Sequence, residues 1–348
     1  MVEPLRILQT MAGPNRGGAE AFFVRLVRAL RDAGVRQHVV VRRGAYAGSA
    51  LRKLGIEPEE LAFGGMFDLT TPGRLRRSIA RFQPNIVLSW MNRATRFCSR
   101  SRSNAEFVHV GRLGGYYDLK YYAGCDHLIA NTPDIANYVV GAGWSPRVVH
   151  YLPNFVDAAP APGVVRSTLD TPDDVPLLLS LGRLHRNKGF DVLLEALEKL
   201  PEVYLWLVGS GSLAADLDAQ SRALGIAERV RFLGWREDVA SLYAAADVYV
   251  CPSRIEPLGN VVIEAWAHSR PVVAAAAAGP ESLIKHGHSG LLVTVDDAEA
   301  LAEAIQRVMN LPGLRDELVR GGHEAYLRDY TEQAVVQRYR EFFESVTA

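Results

Sequence analysis

Short apolar segments of strand length alternate with segments of helical period, and they do so twice along the chain. In the second run, strands are expected at 177–182, 203–208, 229–233, 247–251, 271–275 and 291–293, and helices at 188–200, 212–224, 237–245, 260–268, 280–286 and 297–310. The first run predicts strands at 5–10, 35–42, 85–90, 106–113, 127–131 and 147–152, with helices at 19–33 and 73–82. Strands that alternate with helices close into a parallel sheet covered on both faces, so each run predicts one doubly wound α/β domain. A length of 348 residues also exceeds one ordinary core. Residues 157–176, rich in Pro, Ala and Asp, have linker composition. The expectation is an α/β chain of two Rossmann-like parallel domains facing a central cleft, at 1–160 and 161–330, the second ending in a tail helix at 312–329 and followed by another at 332–346.

In such sheets ligands gather at the carboxyl ends of the strands. The stretch from Cys251 to Ala267, CPSRIEPLGNVVIEAWA, leaves a strand there, turns through Pro257-Leu258-Gly259 and enters a helix. It sets Glu256 in the loop and Glu264 about one turn inside the helix. The helix start between them offers free N–H groups and the positive end of its dipole. Two hydroxyl-binding carboxylates beside an anion site suit a sugar carried on a phosphate; equally, Glu256 and Glu264 could be two solvated residues. Arg183 and Lys188 share another loop at the same sheet edge, where they can neutralise a diphosphate. In the first half, the loop Gly13-Pro14-Asn15-Arg16-Gly17-Gly18 joins a strand to a helix, and its glycines suit either close approach of a ligand or a plain surface turn.

Three patterns are set aside. Gly209-Ser210-Gly211 begins a GxGxxA, but the next strand ends in Gly234-Trp235 rather than in the acid a nicotinamide dinucleotide requires. Asp216 and Asp218 sit two apart within a helix and point in different directions, which is poor for joint chelation. His286 and His288 lack a third ligand nearby, so no metal is expected.

The net charge of zero hides an asymmetry: residues 1–155 hold 21 Lys and Arg against 11 Asp and Glu, and residues 156–348 hold 18 against 28. A basic first half suggests an anionic partner, whether membrane surface, phosphorylated acceptor or nucleic acid. Arg93, Arg96, Arg100 and Arg102 cluster within it, and Tyr116, Tyr117, Tyr121 and Tyr122 surround Lys120. The arginines read either as a solvated face or as an anion contact. The tyrosines suit a sugar face, a membrane interface or plain packing. Three scattered cysteines point to a reducing compartment. Neither a signal peptide nor a membrane-spanning run is expected.

Taken together, GRLHRNKG (182–189), LVGSG (207–211), FLGWREDVASLYAAADVYVCPS (232–253), EPLGNVVIEAWA (256–267) and GPESLIKHGHSGLLV (279–293) resemble the retaining glycosyltransferases of family 4, of GT-B architecture. GGAE (17–20) matches that family's acceptor-domain glycine loop less specifically. The resemblance implies that Arg183 and Lys188 hold the donor diphosphate and Glu256 the sugar hydroxyls. It gives the N–H groups of Leu258, Gly259 and Asn260 to sugar and phosphate, and Glu264 to the ribose. Trp235 and Arg236 would border the base, and Gly17 and Gly18 would close over the phosphates; Gly209, read from its own sequence as part of a tight turn facing the cleft, is a further donor-site candidate. A terminal helix at about 331–348 would cross back to the first domain. Where many relatives carry a histidine on the acceptor side, this chain offers His109 or Arg112, with Tyr116 and Lys120 as further candidates. GGYYDLKYY beside NRATRF is most similar to transferases of lipopolysaccharide core.

The resemblance therefore implies a cytoplasmic, metal-independent, retaining hexosyltransferase without a cofactor, using a nucleotide sugar, in particular a UDP-sugar. Its acceptor would be an envelope glycan or glycolipid such as lipopolysaccharide core. Peripheral contact with an anionic membrane is expected through the basic half, and no nucleic-acid partner. The other readings are a GT-B enzyme that epimerises or hydrolyses nucleotide sugars, and a nucleotide-sugar-binding protein without catalysis.

Overall fold

Every strand pairing in the computed structural model is parallel, because each strand is returned to its sheet by a helix or a long crossover. The structure describes residues 5–15, 17–65, 68–101, 106–156 and 158–347. Arg16 of the glycine loop and Arg102 of the basic cluster lie outside them. The chain divides into two compact units, Met1–Phe155 with Glu332–Ala348, and Val156–Thr331.

The N-terminal unit begins with β1 (Arg6–Met11), α1 (Gly18–Asp32), β2 (Arg36–Arg42), α2 (Tyr46–Lys53), β3 (Glu59–Leu61), α3 (Thr70–Phe82) and β4 (Ile86–Trp90). It continues with α4 (Met91–Ser101), β5 (Val108–Leu113), β6 (His127–Ala130), α5 (Pro133–Gly141) and β7 (Val149–Tyr151). Its sheet runs β3-β2-β1-β4-β5-β6-β7. The central strand β1 is buried on both faces, with Ile7 and Met11 in one apolar layer and Leu8 in the other. That is the pattern of a parallel strand covered by helices.

The second unit contains β8 (Leu177–Leu181), α6 (Phe190–Glu198), β9 (Tyr204–Val208), α7 (Ala214–Ala223), β10 (Val230–Gly234), α8 (Val239–Ala245) and β11 (Val248–Cys251). Then come α9 (Asn260–Ala267), β12 (Val272–Ala275), α10 (Ala278–Leu283), β13 (Leu291–Val293), α11 (Ala298–Asn310) and α12 (Pro312–Asp329). The sheet order is β10-β9-β8-β11-β12-β13. Its direction of winding reverses between β8 and β11, so the loops leaving those two strands diverge and leave room for a ligand.

The last helix, α13 (Glu332–Thr347), belongs to the N-terminal unit. Val335, Tyr339 and Phe343 are fully buried in that unit's core, and Tyr339 Oη accepts a 2.8 Å hydrogen bond from Arg112 Nε.

Two features differ from the sequence expectation. The helix α2, the edge strand β3 and the helix α5 were not anticipated. The supposed linker is fastened to the second unit along its described residues: Val164 N donates to Ser241 O at 3.1 Å. Arg166 donates to the carbonyls of Ala245 and Val175 and pairs with Asp247. Buried Thr171 accepts from Trp206 Nε1 at 2.9 Å. Proline and aspartate here mark irregular backbone held by side-chain bonds, which composition alone does not distinguish from a tether.

Candidate active site

The carboxyl ends of β8 and β11 adjoin at the reversal point of the second sheet. From β8 the chain passes Gly182 and Arg183 into a short 3-10 turn, Arg186–Lys188, before α6. From β11 it passes Ser253 and Glu256 to Gly259, which caps α9 with left-handed φ of 73°. The two loops are bonded backbone to backbone: Arg254 N and Ile255 N both donate to Asn187 O, at 2.8 and 3.0 Å. The Arg254 guanidinium reinforces this by donating to both carboxylate oxygens of Asp191, at 2.7 Å each.

Glycines allow this closeness. A Cβ on Gly189, whose φ is +64°, would fall 2.1 Å from Pro252 O. One on Gly209 would fall 1.8 Å from Gly182 O, and one on Gly279 2.4 Å from Glu256 O. Backbone cannot yield to such contacts as a flexible side chain can, so three loops and the start of α10 are locked together by glycine.

Within this frame Lys188 and Glu256 form an ion pair, with side chains 22% and 11% exposed. Glu256 also accepts long hydrogen bonds from Ser253 Oγ at 3.5 Å and Gly259 N at 3.4 Å. Its carboxylate therefore lies at the N-terminal end of α9, where the dipole favours negative charge. Arg183 is exposed and has no ion-pair or hydrogen-bond partner among the described residues. The Leu258 N–H likewise has no partner among the described residues. Asn260 is the first residue of α9, and Glu264 is half-buried on its second turn. The structure thus brings Lys188, Glu256, Leu258, Gly259, Asn260 and Glu264 to one sheet edge, with Arg183 on the adjoining loop. This arrangement can hold hydroxyls by carboxylates and an anion by cations and N–H groups.

Gly209 contributes differently: its N–H donates to Gly234 O at 2.8 Å, so it serves packing between loops rather than offering a free donor. Trp235, 64% exposed, follows β10, and the Arg236 guanidinium forks onto Asp238 at 2.8 and 2.6 Å. In the N-terminal unit, Gly17 caps α1 and Gly18 begins it. The Glu20 carboxylate packs against Gly13 and Gly17, where a Cβ would meet it at 2.0 and 2.6 Å. The small residues of this loop therefore accommodate a buried glutamate, a use the glycine pattern did not announce.

The acceptor-side candidates are divided by burial. His109 is fully buried, with Nε2 2.9 Å from Ser89 Oγ and Nδ1 3.1 Å from Gly124 O. Arg112 is 2% exposed, donates to Asn154 Oδ1 at 2.6 Å, and lies 4.3 Å above the Trp90 ring. Both are interior groups with hydrogen-bond partners inside the N-terminal unit. Tyr116 is 48% exposed and donates to Asp134; Lys120 is exposed and paired with Asp118. Tyr122, by contrast, is a core residue.

Tyr243 was missed by the sequence reading. It is fully buried under α9, its hydroxyl 3.1 Å from Val261 O and within hydrogen-bonding reach of Glu264, its ring stacked on His268 at 5.2 Å. Only the tertiary fold places it behind Glu264. Among the described residues no cluster of three or more His, Cys, Asp or Glu could hold a metal ion. Asp218 is paired with Arg222, and His288 with Glu317.

Comparison with known proteins decides the family. Residues 175–310 match the family model described as glycosyl transferases group 1, and residues 16–159 match that of glycosyltransferase family 4. Over 331 residues the chain is 35% identical to the lipopolysaccharide core biosynthesis glycosyltransferase LpsE of Rhizobium meliloti, covering 94% of this chain and 96% of that one. The chain belongs to glycosyltransferase family 4. This family 4 enzyme is also 36% identical over 337 residues to LpsD of the same organism, another lipopolysaccharide core biosynthesis glycosyltransferase, with 95% and 96% of the two chains covered. Its fold is shared with a glycosyltransferase from Rickettsia africae (TM-score 0.88, 19% identity, 99% of each chain). It is shared too with Anabaena HepE, solved with UDP and glucose (TM-score 0.84, 22% identity, 98% and 100% covered). The transferase thus has the GT-B fold of two parallel-sheet Rossmann-like domains.

Proposed function

We propose that this glycosyltransferase moves a hexose from a UDP-sugar to a lipopolysaccharide-core acceptor with retention of anomeric configuration and without a metal ion. The observation that carries the reading is the Lys188–Glu256 pair at the start of α9, on the switch point of the donor-type sheet. Glu256 and Glu264 orient hydroxyls of the donor. Arg183, Lys188 and the α9 N–H groups stabilise charge as it develops on the leaving diphosphate, which is the task a divalent ion performs elsewhere. In the transfer, the bond from the anomeric carbon to the diphosphate oxygen breaks and one to the acceptor hydroxyl oxygen forms on the same face. The acceptor proton passes to the departing diphosphate. Support for the substrates comes from the relatives: LpsE and LpsD are named for lipopolysaccharide core biosynthesis, and HepE was solved with UDP and glucose.

The acceptor would be met at the cytoplasmic face of the membrane, through peripheral contact of the basic N-terminal unit. No helix among the described residues is long and apolar enough to cross a membrane.

A donor panel tests the proposal. UDP-, GDP- and ADP-hexoses are incubated in chelator, with and without truncated lipopolysaccharide core, and products are followed by mass spectrometry and NMR. A UDP-dependent adduct with a retained anomeric centre is expected. Turnover to epimer or free sugar that ignores the acceptor would replace transfer by epimerisation or hydrolysis. Donor binding with no product under any acceptor would leave a non-catalytic binder.

A further inference from the structure

On the N-terminal unit, α4 and the turn after β5 border an open groove of about 470 Å³, lined by Arg96, Ser99, Arg100, Lys120, Tyr121 and Gly124. One wall is helical: Arg96 and Arg100 stand four residues apart on α4 and so face the same side. The other wall is the 3-10 turn Leu119–Tyr122, which carries Lys120 and Tyr121. The walls are held at a separation that only glycine permits, since a Cβ on Gly124 would fall 2.8 Å from Ser99 Oγ and 2.9 Å from Ser99 Cβ.

The charge of this groove is unbalanced. The α4 sequence MNRATRFCSRS contains no acid, and neither Arg96 nor Arg100 has an ion-pair partner among the described residues. Like charges at this spacing repel, so the pair gains from an anion placed between its forks. Lys120 is offset by Asp118, and its ammonium lies 5.0 Å from the Tyr121 ring centroid. Two uncompensated positive charges remain. They match the charge of about −1.5 to −2 that a phosphate monoester carries near neutral pH. Ser99 Oγ donates its proton to Thr95 O at 3.1 Å, so discrimination falls to the guanidinium forks, which fit phosphate oxygens in pairs.

We propose that this groove is a discrete binding site for a phosphate monoester, supplied either by a lipid headgroup or by a phosphorylated glycan. It goes beyond the reading of donor transfer and does not depend on it. It also replaces a diffuse basic surface with a saturable site of defined residues.

The test titrates inorganic phosphate into the full-length protein at low ionic strength, read by calorimetry. Three proteins are compared: wild type, Arg96→Gln/Arg100→Gln, and the charge-matched control Arg76→Gln/Arg77→Gln on α3, whose side chains are exposed. Saturable binding is expected in wild type, weakened at least tenfold in the α4 variant and changed less than twofold in the control. A single exposed change, Arg100→Gln, gives an intermediate loss if the double variant folds poorly. Absence of saturable binding in wild type, or equal losses in both double variants, overturns the site. Vesicles then separate the sources. Sedimentation with phosphatidic acid above that with an equal charge of phosphatidylglycerol, lost in the α4 variant, assigns a lipid headgroup. Equal sedimentation with both, alongside retained phosphate binding, assigns a phosphorylated glycan. Donor turnover measured on the same samples reports separately on the glutamate site.

Discussion

Lys188 and Glu256, 68 residues apart in sequence, neutralise each other across two loops of one sheet edge. The pair places a cation beside the first turn of α9 while Glu256 also reaches the Gly259 N–H. On the proposed reading, a diphosphate arriving at that turn would compete with Glu256 for the ammonium and leave Glu256 to accept from sugar hydroxyls. We predict that Glu256→Ala and Lys188→Ala each lower kcat/KM for transfer by at least 100-fold, about 2.7 kcal/mol in the transition state. Circular dichroism of both variants should match wild type. Near-full activity in either folded variant would remove the pair from the mechanism.

The frame around that pair depends on close backbone contacts made at glycines. A Cβ at Gly209 has Gly182 O at 1.8 Å and cannot be relieved by a rotamer change. Gly225 provides a comparison, since its φ of +68° disfavours a side chain but nothing lies within 4 Å of a Cβ there. Gly209→Ala is predicted to cost about 2–4 kcal/mol and Gly225→Ala about 1 kcal/mol. Urea denaturation measures both. Equal costs would mean that backbone conformation, not loop contact, sets the requirement.

Much of this architecture could be read in advance because buried parallel strands are continuous apolar runs. The segments β8, β11 and β13 fell within about one residue of expectation for that reason. The edge strand β3 is Glu-Glu-Leu, three residues with two charges, and its pairing with β2 supplies what its sequence lacks. The helix α2 spans only eight residues and contains a glycine, while α5 carries Val139-Val140 in its last turn, which reads as strand. At the site, residues next to a strand end or helix start were legible because local chemistry marks them. Burial of Arg112 was not, since it depends on Tyr339, 227 residues later, and on Asn154. The same holds for Tyr243, whose neighbour Glu264 lies on a different helix.

The last helix confers a pH dependence on the N-terminal unit. His127 Nδ1 and His150 Nε2 are 3.1 Å apart, and Phe342 of α13 packs 4.6 Å from the His150 ring. Burial, and then the neighbouring His127, lowers the His150 pKa from 6.5 to about 4. Burial also lowers that of His127, against a smaller opposing effect of Asp126. The unfolded chain therefore binds protons that the folded chain resists. The stabilisation is complete above about pH 6.5 and is lost as pH falls from 6.5 towards 4. Unfolding free energies from urea titrations at pH 7.5 and pH 5 should drop with acid, by roughly 1 kcal/mol for this residue after allowance for its partial exposure. His150→Phe should flatten that drop; an unchanged slope would place the acid sensitivity elsewhere.

Tyr243 ties Glu264 to the core of the second unit. Its hydroxyl lies between Val261 O and the Glu264 carboxylate, and its ring is clamped by His268 and Tyr249. Burial, followed by the nearby Tyr249 and Glu264, drives its pKa well above 10.0, so it stays a neutral donor at working pH. A buried donor at this place limits where Glu264 can swing, and Glu264 is the residue assigned to the ribose. Tyr243→Phe keeps the ring and its packing and deletes the hydroxyl, with its bond to Val261 O and its contact with Glu264. Loss of a neutral hydrogen bond to a carboxylate is worth about 1–2 kcal/mol, so donor KM should rise about 5- to 30-fold. The same change should leave kcat within about threefold if, as proposed, the leaving diphosphate is served by Lys188 and the α9 N–H groups rather than by Glu264. Initial rates across a donor titration separate the two parameters. A fall in kcat with unchanged KM would move Glu264 from donor orientation to the chemical step, while an effect on neither would leave Tyr243 a packing residue.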